Sequence, residues 1–276
     1  MSERRNALAR QSRVSAAGTA SDAQPGTLSE VLARFSEWGD AVALRAYDAH
    51  GTAREWSYAH LAHTAASAGG ALQHLGVTEG ERVLLCAPPG PQWVAAALGA
   101  LHIGAVPLPL DLQVDAGTLA HIVTDAQVRA AYLGAAVLDD PERARLVGQL
   151  AHLQVPEPPA APGPLPAPVA RAADDTAVLF YTSGTTAHPK GVPLTHANLS
   201  FQVRSLRERG IVGPGDRVLV PLPLHHVYPF AVGLLVPLAL GLTVIFPAGL
   251  GGPELRHALH DGQATVLLGV PRLYVF

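Results

Sequence analysis

Short apolar runs alternate with longer amphipathic stretches along this chain, and that alternation constrains its fold more than any other feature. The spacing predicts strands at Arg82–Cys86, Ala105–Leu108, Ala130–Leu133, Ala177–Tyr181, Arg217–Val220, Leu242–Phe246 and Thr265–Leu268. Helices are expected over Ser57–Leu75, Pro91–His102, Gly117–Ala126, Pro141–His152, His196–Arg209, Tyr228–Leu240 and Pro253–His260. Short, nearly continuous apolar strands are those buried on both faces, and helical crossovers join parallel neighbours. The expected class is therefore α/β, as two successive doubly wound, mainly parallel βα subdomains.

Punctuation divides the chain. Pro156 to Ala170 is rich in Pro, Ala and Gly and has little capacity for regular structure. It supports a first subdomain over residues 28–155, a Pro/Ala-rich linker over 156–173 and a second subdomain over 174–276. Residues 1–27 carry Arg4, Arg5, Arg10 and Arg13 among Ser, Ala and Gly and read as a flexible N-terminal tail.

Chemistry concentrates in Tyr181-Thr-Ser-Gly-Thr-Thr-Ala-His-Pro-Lys-Gly-Val192, which follows the apolar run ending at Tyr181. A loop of small residues at a strand's C-terminal end lets backbone N–H groups close on an anion. Thr182, Ser183, Gly184, Thr185 and Thr186 supply amide and hydroxyl donors, and Lys190 supplies a cation or anchors the loop. The pattern is that of a polyphosphate cradle, but it is not the Walker form, because Gly184 and Lys190 do not fit its spacing. The competing interpretation is a polar surface turn.

This loop resembles the signature of the AMP-forming acyl-activating enzymes, the acyl-CoA synthetases and other adenylate-forming ligases. It agrees at every defined position except Ala187, where the family has glycine; alanine there tolerates neither positive φ nor close backbone approach well. Leu194-Thr-His-Ala-Asn-Leu199 and Pro221-Leu-Pro-Leu-His-His-Val-Tyr-Pro-Phe230 resemble the family's next segments. Upstream, Tyr58-Ala-His-Leu61, Gly76-Val-Thr-Glu-Gly-Glu-Arg-Val83 and Gly104-Ala-Val-Pro-Leu-Pro-Leu-Asp111 follow in the family's order. The resemblance implies activation of a carboxylic acid by ATP to acyl-AMP and then to an acyl thioester. It places His226 beside the carboxylate as the catalytic candidate, the alternative being a packing histidine. The Leu-Pro-Leu-His-His wording is closest to the long-chain fatty-acyl type, so the acid expected is a fatty acid. Tyr228 and Phe230 are candidates for an acyl tunnel or for the core.

The resemblance also implies parts that this chain does not contain. No Gly-Tyr-Gly-x-Thr-Glu and no Thr-Gly-Asp occurs in it, so the glutamate that helps hold Mg²⁺ and the ribose-binding aspartate have no counterpart. The second subdomain is accordingly expected to be incomplete at the C-terminus and the chain inactive alone. A separate C-terminal half or an acyl carrier protein would be its partner, with Mg²⁺ arriving on ATP and coenzyme A serving the complete enzyme. An incomplete sheet implies self-association. The alternative function is a non-catalytic remnant that binds ATP or pyrophosphate, or an interaction module.

Composition narrows the remaining classes. With 49% hydrophobic and 15% charged residues, the 276-residue chain is globular. Its formal charge of −3 and lack of a basic stripe argue against nucleic acid. The 13 histidines are scattered, and none forms a metal-ligand frame, so no protein-held metal is expected. The single cysteine, Cys86, cannot form an internal disulfide and suits a reducing cytoplasm. Arg217 to Glu254 encloses no charged residue, yet Pro237, Gly241 and the β-rich Leu242–Phe246 break that stretch into a buried helix and a central strand rather than a transmembrane span.

Overall fold

The computed structural model describes residues 26–157, 163–182 and 189–274. The expected N-terminal tail lies outside them as far as residue 25. So does the middle of the expected linker.

Helix α1 (Leu28–Ala33) opens where the Thr27 hydroxyl accepts from the Glu30 N–H, satisfying a donor the helix cannot satisfy itself. Its Leu28, Val31 and Leu32 line one small apolar cavity with Leu98, Leu101, Leu235 and Leu238. Strands β1 (Val42–Tyr47) and β2 (Ala53–Ser57) form a hairpin whose turn is fixed by the Asp48 carboxylate, which accepts from the His50 and Thr52 N–H groups at 2.9 Å each. Ser57 then caps α2 (Tyr58–His74). Helix α2 crosses α3 (Pro91–His102) at Gly69 and Gly99, where the backbones nearly touch: a Cβ on Gly99 would lie 2.8 Å from the Ala65 carbonyl oxygen.

Around these helices lie β3 (Arg82–Cys86), β4 (Val106–Pro109), α4 (Ala116–Asp125), β5 (Val128–Leu133), α5 (Ala135–Leu138), α6 (Pro141–Val147) and β6 (Ala151–His152). The strands make a four-stranded, wholly parallel sheet in the order β4-β3-β5-β6. The expected helix over Pro141–His152 is thus shorter, ending at Val147, and Ala151–His152 pairs with β5. Backbone pairing to a buried edge overrides the helical pattern there.

The remaining elements are β7 (Thr176–Thr182), β8 (Lys190–Thr195), α7 (His196–Glu208), β9 (Arg217–Leu219), a π-helix (Pro229–Leu235), α8 (Val236–Ala239), β10 (Thr243–Phe246), α9 (Gly252–Asp261) and β11 (Val266–Leu267). A five-stranded sheet runs β11-β9-β10-β1-β2, parallel except for the β1–β2 hairpin. The α/β class with mainly parallel sheets is borne out. Through β1 and β10, this sheet joins chain segments from both sides of residues 156–173. The run at Ala177–Tyr181 is a strand as expected, but it pairs antiparallel with β8 in a sheet of two.

The uncharged stretch divides into the π-helix, α8 and β10. Pro237 has no N–H to donate, and the turns before it take the wider π spacing. Among the described residues no helix is long and apolar enough to cross a membrane.

Candidate functional site: a phosphate hairpin beside a histidine turn

The hairpin β7–β8 presents the candidate loop. Thr182 ends β7 and Lys190 begins β8, and the two are cross-strand partners, both exposed. Side chains opposite one another on a hairpin stand close enough to act on one ligand. The loop's remaining candidates, Ser183, Gly184, Thr185 and Thr186, lie outside the described residues, as does Ala187. Beyond β8, Thr195 caps α7 in a reciprocal box: its hydroxyl accepts from the Asn198 N–H, and the Asn198 side chain accepts from the Thr195 N–H.

His226 lies in the turn between β9 and the π-helix and is exposed. Its N–H donates to the Pro223 carbonyl, and its own carbonyl accepts from Phe230 at 3.1 Å. The His225 ring lies tilted against it at 4.4 Å between centroids, and His225 Nε2 reaches Asp111 Oδ2 at 3.8 Å. Burial pushes the His225 pKa below its ordinary value; Asp111 opposes that shift and His226 adds to it. A neutral His225 is thereby favoured, wedged between a carboxylate and the exposed imidazole.

An aromatic contact brings the two parts together. Phe180, two residues before Thr182, meets Phe230, one helical turn after His226, edge to face at 5.6 Å. Phe230 also meets Trp93 at 6.2 Å and is fully buried. Of the two acyl-tunnel candidates, Phe230 therefore belongs to the core, whereas Tyr228 is exposed. This ring contact joins the strand that carries the loop to the π-helix that follows the histidine turn.

Asp111 beside His225, and the grip of α4 on the hairpin described below, were not visible in the sequence. Both join residues far apart in the chain and carry no local pattern. Among the described residues no group of three or more His, Cys, Asp or Glu is placed to hold a metal. The exposed Thr182–Lys190 pair fits an anionic phosphate chain, and the fit extends no further: the described carboxylate at the hairpin, Asp125, is occupied by Tyr181.

Comparison with known proteins identifies the family. A family model described as AMP-binding enzyme matches residues 32–276. The chain is 31% identical over 231 residues to a feruloyl-CoA synthase of an Amycolatopsis species, covering 79% of this chain and 44% of the relative. It is 30% identical to a sulfoacetate–CoA ligase of Cupriavidus necator, covering 80% of this chain and 45% of that protein. The structure superposes on ATP-bound MatB from Rhodopseudomonas palustris with a TM-score of 0.77 and 25% identity, covering 89% of this chain and 50% of MatB. The chain belongs to the AMP-binding enzyme family of adenylate-forming ligases. It spans less than half the length of the two curated relatives named here.

Proposed function

We infer that the hairpin between Thr182 and Lys190 holds the phosphates of ATP while a carboxylic acid is converted to its acyl adenylate, the acyl group passing afterwards to a thiol such as that of coenzyme A. The observation that carries this reading is the exposed Thr182–Lys190 pair at the mouth of a Ser/Thr/Gly loop, tied through Phe180 and Phe230 to the turn bearing His226. In this reading Lys190 places positive charge beside phosphate oxygens, and Thr182, with Ser183, Gly184, Thr185 and Thr186 of the loop, donates hydrogen bonds to them. His226 orients the incoming carboxylate. His225, half-buried and flanked by Asp111, favours its neutral form. Magnesium comes with the nucleotide rather than from carboxylates of this chain.

For the acid we favour a fatty acid, on the likeness of Pro221-Leu-Pro-Leu-His-His-Val-Tyr-Pro-Phe230 to the long-chain fatty-acyl type. The relatives named for feruloyl and sulfoacetyl transfer set the alternatives. Exchange of labelled pyrophosphate into ATP, measured with long-chain, aromatic and short polar acids, tests the assignment. The reading expects exchange dependent on a long-chain acid, either by this chain or after addition of the C-terminal portion of a relative. Exchange only with aromatic or sulfonated acids would transfer the assignment to those substrates. Ala187 in the loop favours a second reading, a module that binds pyrophosphate without turnover; binding with no exchange under either condition would select it. A reducing compartment such as the cytoplasm suits the lone Cys86, which is buried with its thiol pKa pushed up to about 12 by desolvation.

A further inference from the structure

Helix α4 touches the hairpin at two points. The Tyr181 hydroxyl donates to Asp125 Oδ2 at 2.5 Å. His121 Nε2 lies 3.2 Å from the Pro189 carbonyl oxygen. A carbonyl can only accept, so His121 Nε2 bears the proton in this contact. His121 and Asp125 are four residues apart and stand on one face of the helix. Their partners sit on opposite strands: Tyr181 is next to the end of β7, and Pro189 directly precedes β8. Helix α4 therefore holds both strands at the end where Thr182 faces Lys190.

Gly191, the cross-strand partner of Tyr181, points the same way. A Cβ there would stand 3.4 Å from Tyr181 Oη and 3.3 Å from Leu179 Cδ1. The absence of a side chain clears the path by which the Tyr181 ring crosses β8 toward α4. Burial, reinforced by Asp125, raises the Tyr181 pKa, which keeps its phenol a donor. The need for such a grip follows from the topology. A sheet of two strands is marginal by itself, and among the described residues no third strand hydrogen-bonds to β7 or β8, although β4 packs against β7.

We propose that α4 is the positioning element of the phosphate hairpin: Asp125 and His121, acting through Tyr181 and Pro189, set the separation of Thr182 and Lys190 that a polyphosphate requires. The proposal rests on reading the hairpin as a phosphate site, and two independent measurements on the full chain separate the two claims. The first is amide hydrogen exchange in Tyr181→Phe, Asp125→Ala and His121→Ala. Exchange should accelerate in residues 176–182 and 190–195 and stay unchanged in the four-stranded sheet. The second is calorimetric titration with inorganic pyrophosphate. Each of Tyr181→Phe and Asp125→Ala should weaken binding about fivefold, as loss of one hydrogen bond would, and the double variant no further. Asp125→Asn keeps an acceptor for the phenol and should restore binding, which general destabilisation would not allow. Unchanged hairpin exchange in all three variants would refute the grip itself. Faster exchange with unaltered pyrophosphate affinity would refute the positioning role. A wild-type chain that binds no pyrophosphate would remove the phosphate reading and this role with it, leaving the exchange measurement to decide whether α4 holds the hairpin.

Discussion

Lys190 stands on an exposed strand end opposite Thr182, with its charge available to a ligand. Replacing it with alanine should cost pyrophosphate affinity about tenfold or more, because a charge-assisted hydrogen bond contributes about 1.5–3 kcal/mol. The melting temperature should hardly move, since the side chain buries little. A large drop in stability would instead make Lys190 an anchor of the hairpin. Tyr58 is a contrasting residue. Its ring lies edge-on to Phe35 at 5.2 Å and 4.9 Å from Trp38, and its hydroxyl donates to the Leu242 carbonyl at 2.8 Å. Desolvation raises its pKa, so it remains a donor at any working pH. Tyr58→Phe should leave ligand binding intact and lower unfolding free energy by about 1–2 kcal/mol in urea titrations, the cost of leaving a buried acceptor short of its partner.

At the level of elements, the α2–α3 crossing is set by two glycines. A methyl group on Gly99 would meet the Ala65 carbonyl, the Ala68 Cβ and the Gly69 nitrogen, all within 2.9 Å. Backbone atoms cannot yield as a flexible side chain does, so Gly99→Ala should destabilise by about 1–3 kcal/mol, read as an earlier urea midpoint at constant slope. The elements legible in the sequence were those whose signal is local. Val83, Leu84 and Leu85 of β3 and Val244 and Ile245 of β10 are continuous apolar residues, fully buried, and were read as central strands. Strand β8 was not legible: Lys190, Gly191 and Pro193 give it no apolar run, and its extended form comes from pairing with β7. Strands β1 and β2 were missed for a related reason. Arg45, Arg54 and Glu55 interrupt their pattern, and Arg45 is instead held by Glu55 at 2.7 Å and by Asp261 at 2.5 Å. The loop motif and the His225–His226 turn were legible because each candidate is written in consecutive residues. Asp111 and α4 reach that site only through the fold.

Across the whole molecule, buried and half-buried histidines make stability depend on pH. His102, His196 and His225 all have pKa values lowered from 6.5, burial being the largest cause in each. At His196, Nδ1 accepts from the Leu28 N–H at 3.2 Å, so the neutral ring ties α1 to α7. The unfolded chain takes up protons near its ordinary histidine pKa while the folded chain resists them. The stability these groups contribute is thus complete above about pH 6.5 and is lost as pH falls through the lower folded values. Urea midpoints should fall between about pH 7 and about pH 5, and His196→Gln, which does not titrate, should flatten that fall. An equal slope in the variant would exclude His196 from the effect. The central claim is that the strand ends at Thr182 and Lys190 bind a polyphosphate. It is tested most directly by following the backbone amide resonances of those two residues during titration with pyrophosphate. The account predicts saturable shifts concentrated at the hairpin and abolished by Lys190→Ala; resonances there that stay still while ATP or pyrophosphate binds elsewhere would contradict it.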